Sequence, residues 1–258
     1  MCFGVSPRRK AVIVVCMCYR YVLQREALEA LATRLAIPEP VEWGSRYNLA
    51  PGQDVPVVRA AAGTGSRGVE LAKMRWGLVP AWAKGEAAAT APANARSESL
   101  ASRSMFREAF RRRRCLVPAS GFYEWKGPSC RRQPFLFRFV DGAALCFAGV
   151  WESWRNPADG QTVESCAIIT TAPNERVRVV HDRMPAILGL DETVRWLDPG
   201  LTEPGDLAPL LHPYAGDALQ SFPVTTRVNN VRFDDPACLE PAPPGGDGGD
   251  GAQLSFGL

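Results

Sequence analysis

The sequence is poor in the residues that usually hold structural metal ions. It has only two histidines, His181 and His212, and none of its eight cysteines forms a Cys-x-x-Cys pair. Structural zinc sites are built from Cys and His ligands, commonly with two of the cysteines at that spacing. We therefore expect no metal and no other cofactor, and we expect thiols that stay reduced rather than a framework of disulfides.

Long apolar runs are missing as well. A membrane-spanning helix needs about 20 consecutive apolar residues, and the sequence has no such stretch. Residues 8–18 imitate a short signal peptide, with basic residues before apolar ones, but they lack a small-x-small cleavage site. The sequence therefore predicts a cytoplasmic protein that has no membrane partner.

A large excess of charge is also absent, because the net charge is only +3. Nucleic-acid binding therefore does not follow from charge alone. Basic residues are nevertheless concentrated at Arg103, Arg107 and Arg111–Arg114. Such a run is ordinarily a solvated helix face, and a rim that binds phosphate groups is the alternative.

The sequence does contain one amphipathic helix followed by a succession of short strand-like runs. Leucines recur at helical spacing before Pro38, which predicts a helix over residues 24–35. Residues 38–56 are rich in Pro, Gly and Asn and predict a loop. Strand-like runs cover residues 55–59, 69–76, 115–117, 122–126, 134–140, 144–151 and 163–171, and helical stretches cover 104–113, 174–180 and 191–198.

These strands do not alternate regularly with helices, which argues against a doubly wound parallel sheet. We expect an α+β fold, a single domain with a strongly curved, barrel-like mixed β-sheet and peripheral helices. We place this domain at residues 18–238. Residues 239–258 are rich in Pro, Gly and Asp and predict a disordered tail. Residues 1–17 predict an amino-terminal extension, either from a start assigned too far upstream or from a propeptide that is cleaved.

The dipeptide Met17-Cys18 indicates a particular chemistry. If translation starts at Met17, or if the bond before Cys18 is cut, one residue carries both a free α-amine and a thiol. An amine and a thiol on adjacent carbons condense with an aldehyde, first to an imine and then, by attack of sulfur, to a thiazolidine ring. An α-amine titrates near ~7.7–8.0, so a useful fraction is nucleophilic at neutral pH. A buried cysteine in an apolar strand is the alternative for Cys18.

Several short motifs follow one another along the chain. They are Cys18-Tyr19-Arg20-Tyr21, Tyr47-Asn48-Leu49-Ala50-Pro51, Trp76-Gly77-Leu78-Val79-Pro80, Asn94-Ala95-Arg96-Ser97-Glu98, Arg114-Cys115-Leu116-Val117-Pro118, Gly121-Phe122-Tyr123-Glu124-Trp125, Thr171-Ala172-Pro173-Asn174 and His181-Asp182-Arg183-Met184-Pro185. An ordered set of motifs is far more specific than any one of them. Over roughly residues 18–235 this set closely resembles the SRAP (SOS response-associated peptidase) family, whose members crosslink to abasic sites in single-stranded DNA.

The resemblance implies an α+β fold around a distorted barrel-like sheet and an amino-terminal Cys that forms a thiazolidine with the ring-opened sugar. It also implies a cofactor-free, monomeric abasic-site sensor that binds single-stranded DNA and cleaves its own amino-terminal peptide. Two features depart from the family pattern. The family nucleophile directly follows the initiator Met, whereas sixteen residues precede Met17 here, and Tyr19 stands where the family tends to have glycine.

The resemblance assigns catalysis to Cys18, Asn94, Glu124 and His181. Asn94 offers a donor and an acceptor that can orient the amine, the thiol or the sugar. Glu124 stands among aromatic residues, which would desolvate it and suit it to moving protons, and His181 can protonate the sugar oxygen. The alternatives are a turn residue for Asn94, an outward strand position for Glu124 and a structural histidine for His181.

The resemblance assigns DNA contacts to Arg20, Pro51, Trp76, Arg96 and Arg183. Arg96 and Arg183 would contact phosphate groups. Pro51 and Trp76 would wedge beside the abasic site and keep the neighbouring bases apart. A surface salt bridge is the alternative for Arg96, and a place in the core is the alternative for Trp76.

Two functions of other classes stay open at this point. A conventional cysteine peptidase would use Cys18 or Cys115 with His181 on outside substrates. A non-catalytic module for single-stranded nucleic acid would show salt-sensitive binding without a stable adduct. The ordered motifs favour the abasic-site function over both.

Overall fold

The structure, a computed structural model, describes residues 19–38, 42–61, 68–84, 91–128 and 132–242. The predicted nucleophile Cys18 and the predicted extension 1–17 lie outside these ranges, as do residues 243–258 of the predicted tail. The domain boundaries drawn from the sequence therefore stay a prediction.

Strands dominate the described residues. The strands are β1 Tyr21–Leu23, β2 Arg46–Leu49, β3 Asp54–Ala60, β4 Val69–Trp76, β5 Asn94–Arg96, β6 Arg114–Ala119, β7 Gly121–Lys126, β8 Gln133–Phe139, β9 Leu145–Arg155, β10 Thr162–Thr171, β11 Met184–Pro185 and β12 Leu219–Pro223. The α-helices are α1 Arg25–Arg34, α2 Ser104–Arg112, α3 Glu175–Arg178, α4 Leu190–Leu197 and α5 Pro204–Leu207. Within the described residues, no helix is both long and apolar enough to cross a membrane.

Strands β3, β4, β6, β9 and β10 close into a barrel. Each pairs with the next in the order β10-β4-β3-β6-β9, and β9 pairs with β10 to complete the ring. The β10–β4 pairing is parallel, whereas the other pairings of the ring are antiparallel. This closed mixed sheet with helices outside it confirms the predicted α+β fold.

A second, antiparallel sheet packs against the barrel in the order β12-β8-β7-β1-β2. Its side chains Tyr21 and Phe122 belong to the same buried cluster as Trp76 and Phe147 of the barrel. The Tyr21 ring meets the Trp76 ring edge-on, with 5.2 Å between centroids. The core between the sheets therefore fixes β1, which begins just after Cys18 in sequence, beside β7, which carries Glu124.

Helix α2 forms because its apolar residues fall on one face. Phe106, Ala109 and Phe110 follow helical spacing, and all three are buried. They pack into a cluster with Leu116 of β6 and Val150 of β9. Burying a phenylalanine side chain contributes roughly 1.5–3 kcal/mol, so this face is enough to hold the helix on the barrel.

The basic run at the end of α2 makes contacts within the protein. Arg114 is buried, and its Nε donates to the carbonyl oxygen of Trp196 at 2.6 Å. Burial lowers the pKa of Arg114 to about 10. The other members pair with carboxylates, Arg111 with Glu203, Arg112 with Glu108 and Arg113 with Glu152. The run therefore stabilises the fold, and these contacts do not favour a phosphate-binding rim.

The predicted loop over residues 38–56 was wrong in part, because β2 and the start of β3 lie within it. Strand β2 pairs with β1, with Tyr21 opposite Leu49 and Leu23 opposite Arg46. Residues that look irregular alone become a strand here because a partner strand supplies the hydrogen bonds.

Candidate active site

Strand β5 carries two of the predicted site residues. It pairs in parallel with β10, which places Asn94 opposite Ile168 and Arg96 opposite Thr170. Alternate residues of a strand point to the same side, so Asn94 and Arg96 share a face while Ala95 packs into the core. Asn94 is only 6% exposed, whereas Arg96 is exposed. This face therefore offers a buried amide next to an accessible cation.

Glu124 lies on β7 and is 1% exposed. Its side chain shares a strand face with Phe122, while Tyr123 and Trp125 point to the opposite face. A carboxyl group that is nearly removed from water interacts strongly with neighbouring dipoles and charges. Such a group is well placed to exchange protons with a reacting molecule.

His181 is the residue that faces Glu124. It follows α3, and its backbone N–H donates to the carbonyl oxygen of Val177 at 2.8 Å. His181 Nδ1 lies 3.1 Å from the Arg183 backbone N, 3.2 Å from the Arg183 carbonyl oxygen and 3.3 Å from Asp182 Oδ1, and these contacts orient the ring. The Nε2 atom lies 3.8 Å from Glu124 Oε2. The imidazole and the carboxyl group are therefore close enough to pass a proton through a small shift or one water.

Arg183 ties the His181 loop to the β5 segment. Its Nη1 and Nη2 donate to both carboxylate oxygens of Glu98 at 2.6 and 3.0 Å, and Nη2 also donates to the carbonyl oxygen of Thr170 at 2.6 Å. The hydrogen bond from Arg183 lowers the pKa of Glu98. Bidentate pairs fix geometry as well as charge, so this pair links the segments that carry Arg96 and His181.

The amino-terminal segment enters beside β7. The carbonyl oxygen of Arg20 accepts from the backbone N–H of Tyr123 at 3.0 Å, one residue before Glu124. Cys18, two residues before Arg20 in sequence, lies outside the described residues. In the part of the chain that the structure covers, no cluster of three or more His, Cys, Asp or Glu side chains could hold a metal ion.

The predicted wedge residues take different positions. Pro51 is exposed in the turn between β2 and β3, and this turn is fastened to β4 because Gly52 N–H donates to the Trp76 carbonyl at 2.7 Å. Trp76 is only 1% exposed, and its Nε1 donates to the Ala93 carbonyl at 2.8 Å. Trp76 is therefore a core residue, and the expected contact with bases does not fit its position.

Arg20 has contacts that hold it inside the protein. Its Nη1 donates to Asn48 Oδ1 at 2.8 Å and to the Val228 carbonyl at 3.1 Å. Its guanidinium also lies 5.9 Å from the centre of the Trp125 ring. These contacts give Arg20 a structural role, and its predicted contact with DNA stays a prediction.

Cys115, the alternative nucleophile, is 0% exposed in the barrel. Burial raises the pKa of the Cys115 thiol well above its ordinary value. A reactive thiol needs a thiolate and access to its substrate. Cys115 therefore offers no support for a conventional peptidase.

Three further residues were not singled out in the sequence. Glu98 pairs with Arg183, and its place in the motif Asn94 to Glu98 could have drawn attention to it. Thr170 is buried, and within the described residues its Oγ1 has no hydrogen-bond partner. Trp82 is 64% exposed on the loop after β4. The sequence alone offered no way to tell this exposed tryptophan from the buried Trp76.

The comparisons with known proteins agree with the fold and the motifs. The family model for SOS response associated peptidase (SRAP) matches residues 17–231. The chain is 36% identical over 228 residues to "Abasic site processing protein YoqW" of Bacillus subtilis, covering 87% of this chain and 99% of that protein. It is 33% identical over 221 residues to "Abasic site processing protein HMCES" of Xenopus tropicalis, covering 75% of this chain and 65% of that protein.

Solved structures share the fold. A protein from Bacteroides thetaiotaomicron superimposes with a TM-score of 0.77 at 24% identity, covering 87% of this chain and 100% of that one. A protein from Bordetella bronchiseptica gives a TM-score of 0.68 at 27% identity, covering 81% of this chain and 100% of that one. The match of the family model over most of the chain, with relatives above 30% identity, decides the assignment. This chain belongs to the SRAP family.

Proposed function

We propose that this protein processes abasic sites in single-stranded DNA by forming a covalent bond through an amino-terminal Cys18. Membership of the SRAP family and the names of the relatives support abasic-site processing. The observation that carries the proposal is the meeting of the buried Glu124 with His181, at 3.8 Å, next to the strand where the amino-terminal segment enters.

The proposed reaction consumes an aldehyde and releases one water. The abasic sugar opens from its ring form to the aldehyde, and the Cys18 amine attacks the aldehyde carbon. Loss of water gives the imine, and the thiol then adds across the C=N bond. A carbon–sulfur bond forms, and the thiol proton ends on nitrogen. The product is a thiazolidine ring that joins the protein to the DNA.

The side chains of the site have separate roles in this proposal. His181 donates a proton to the ring oxygen of the sugar as the ring opens, and Glu124 accepts a proton from the attacking amine and returns it to the departing water. Asn94 orients the amine and the sugar by hydrogen bonds. These roles need groups that can reach each other, which the separation of 3.8 Å between Glu124 and His181 allows.

The same site would release the amino-terminal extension. Cleavage of the Met17-Cys18 bond adds one water, frees the residues up to Met17 and leaves Cys18 with a free α-amine. We propose that Glu124 assists this cleavage as a general base. Initiation at Met17 followed by removal of the Met would reach the same amino terminus.

Single-stranded DNA is the proposed partner of a monomer. Arg96 is exposed on the rim of the site and can contact a phosphate group. The exposed Trp82 offers a face for base stacking, which is worth about 1–3 kcal/mol per base. Pro51 is exposed on a turn fastened to the end of β4, the strand that precedes the Trp82 loop. We propose that these residues lie along the DNA path.

The proposal predicts an adduct that survives denaturing gels when the protein is mixed with single-stranded DNA carrying an abasic site. Cys18→Ala should abolish this adduct, because the thiazolidine needs the thiol. The matched control Cys146→Ala, which removes a buried thiol of β9, should still form it. A stable adduct in Cys18→Ala would contradict the proposal.

A further inference from the structure

The chain after β12 returns to the strands that surround the amino-terminal segment. We call residues 226–239 the C-terminal clamp; it contains two short 3-10 helices, Thr226–Asn229 and Pro236–Leu239. Val228 and Cys238 of the clamp are fully buried and form a cluster with Val22 of β1 and Tyr123 of β7. This cluster is separate from the core between the sheets, so the clamp covers the opposite face of β1 and β7.

Asn48 joins the clamp to the amino-terminal segment. It is 0% exposed on β2. Its Nδ2 donates to the carbonyl oxygens of Val228, Asn230 and Phe233 at 3.1, 3.1 and 2.8 Å. Its Oδ1 accepts from Arg20 Nη1 at 2.8 Å. A buried amide with all of its groups engaged fixes both partners, because losing either leaves a polar group unsatisfied in the interior.

Asp234 fastens the clamp to the backbone of β2. Its Oδ1 accepts from the N–H groups of Tyr47 and Asn48 at 2.5 and 2.9 Å, and its Oδ2 pairs with Arg46. Charge-assisted hydrogen bonds are roughly twice as strong as neutral ones. Strand β2 is the edge of its sheet, and the clamp therefore supplies acceptors that a neighbouring strand would otherwise provide.

The clamp also holds β7 from behind. Trp125 Nε1 donates to Asn229 Oδ1 at 2.6 Å, and Tyr123 belongs to the buried cluster of Val228 and Cys238, with its Oη 3.5 Å from the Cys238 carbonyl oxygen. Tyr123 and Trp125 flank Glu124 and point to the opposite face of the strand. These contacts on one face of β7 therefore help to position Glu124 on the opposite face.

We infer that the C-terminal clamp positions the reacting groups, with Asn48 and Asp234 as its positioning residues. The clamp accepts a hydrogen bond from Arg20, two residues after Cys18, and it contacts Tyr123 and Trp125, the two neighbours of Glu124. The distance between the amino-terminal nucleophile and the carboxyl group therefore depends on a segment more than a hundred residues away in sequence. This inference rests on the proposed function, because it assigns Cys18 and Glu124 their roles.

Asn48→Ala and Asp234→Ala test the inference in the full chain whose amino terminus has been processed to Cys18. We expect crosslinking at saturating abasic DNA to slow by about 10²-fold, as for a misplacement of about 1 Å. Affinity for the same DNA without an abasic site should stay unchanged, since neither side chain lies among the proposed DNA contacts. Asp234→Asn keeps acceptors for the two N–H groups and should recover most of the rate. Val231→Ala, at a residue 44% exposed on the clamp, is the matched control and should react as the wild type does.

A second measurement separates the clamp from the proposed function. The rate at which iodoacetamide alkylates Cys18 is measured against pH in native and denatured protein. In the wild type we expect the pH profile of Cys18 alkylation in the native protein to differ from the profile in the denatured protein. In native Asn48→Ala we expect the profile to shift toward that of the denatured protein. If Asn48→Ala does not fold, Asn229→Ala, which removes the hydrogen bond with Trp125, takes its place.

The outcomes are distinct. A wild type that forms no adduct overturns the proposed function, while the alkylation profiles still decide whether the clamp positions Cys18. The positioning role of the clamp is overturned if folded Asn48→Ala or Asn229→Ala protein shows the crosslinking rate and the alkylation profile of the wild type. Equal losses of rate and of DNA affinity would also overturn it, because they would indicate general damage to the site.

Discussion

At the scale of single residues, Glu124 and His181 are neighbours that differ in burial. Glu124 is 1% exposed, and the His181 side chain is 13% exposed, which places one group in the interior and the other at its edge. A buried carboxyl group beside a more accessible imidazole suits proton exchange between the sugar and the interior of the site.

Glu124→Gln and His181→Ala should slow crosslinking by about 10²–10⁴, the usual cost of removing a positioned acid or base. DNA affinity should change little, because neither residue is proposed to contact phosphate. Single-turnover rates at saturating DNA, together with binding to DNA without an abasic site, measure both effects. Variants that lose affinity in proportion to rate would place these residues in binding instead.

Arg96→Ala should weaken DNA binding and lower its salt dependence, because an exposed cation that contacts a phosphate releases counterions on binding. The slope of log affinity against log salt should fall by about 0.7 for a single strand. Arg107→Ala removes another exposed cation, on α2 outside the site, and serves as the matched control. An unchanged slope in Arg96→Ala, with slower chemistry at saturating DNA, would exclude the phosphate contact.

The residue types at the site and the desolvation of Glu124 were predictable, but the contacts between the site residues were not. The motifs pointed to Asn94, Glu124 and His181, yet the 3.8 Å contact joins strand β7 to a loop after β10 and depends on the tertiary fold. Trp76 and Trp82 stand six positions apart in one motif region, and only the barrel decides that the first is buried and the second exposed.

At the scale of elements, local patterns identified the longer helices and strands. Helix α1 was predicted over 24–35 and is found at Arg25–Arg34, because its apolar spacing is complete within the segment. Strands β5 and β11 were not predicted, since each has two or three residues and forms only against a partner. These short strands carry or flank the candidate site. The sequence therefore predicted the residues of the site better than the strands that hold them.

Helix α4 carries a pH-dependent contact at its beginning. Glu192 Oε2 accepts from the Gly189 N–H at 2.8 Å, and Glu192 Oε1 lies 2.7 Å from His212 Nε2. Hydrogen bonding to the Pro213 carbonyl and then to Glu192 raises the pKa of His212. A raised pKa in the folded state stabilises the protein below the unfolded pKa, and this contribution disappears as pH rises through the folded value.

His212→Ala should therefore lower the free energy of unfolding more at mildly acidic pH than at alkaline pH. Urea unfolding of the wild type and the variant on both sides of the His212 pKa measures the difference. His212 is half-exposed, so the effect should be modest and should shrink in high salt. A larger loss at alkaline pH would contradict the prediction, because it would mean that folding lowers the pKa of His212.

At the scale of the whole molecule, the two sheets each contribute residues to the candidate site. Strand β10 of the barrel leads to His181 and pairs with β5, which carries Asn94 and Arg96, while the second sheet supplies β7 and Glu124. The amino-terminal segment joins the second sheet beside β7. The candidate site therefore depends on the packing of one sheet on the other, which no local sequence pattern encodes.

The covalent bond at Cys18 is tested most directly by the mass of the crosslinked product and of its digested peptides. We expect a product that equals the protein beginning at Cys18 plus the abasic oligonucleotide, less one water, with the added mass on the peptide that starts at Cys18. A product that retains residues 1–17 and carries the DNA on Cys2 or on any other residue would contradict the proposed chemistry.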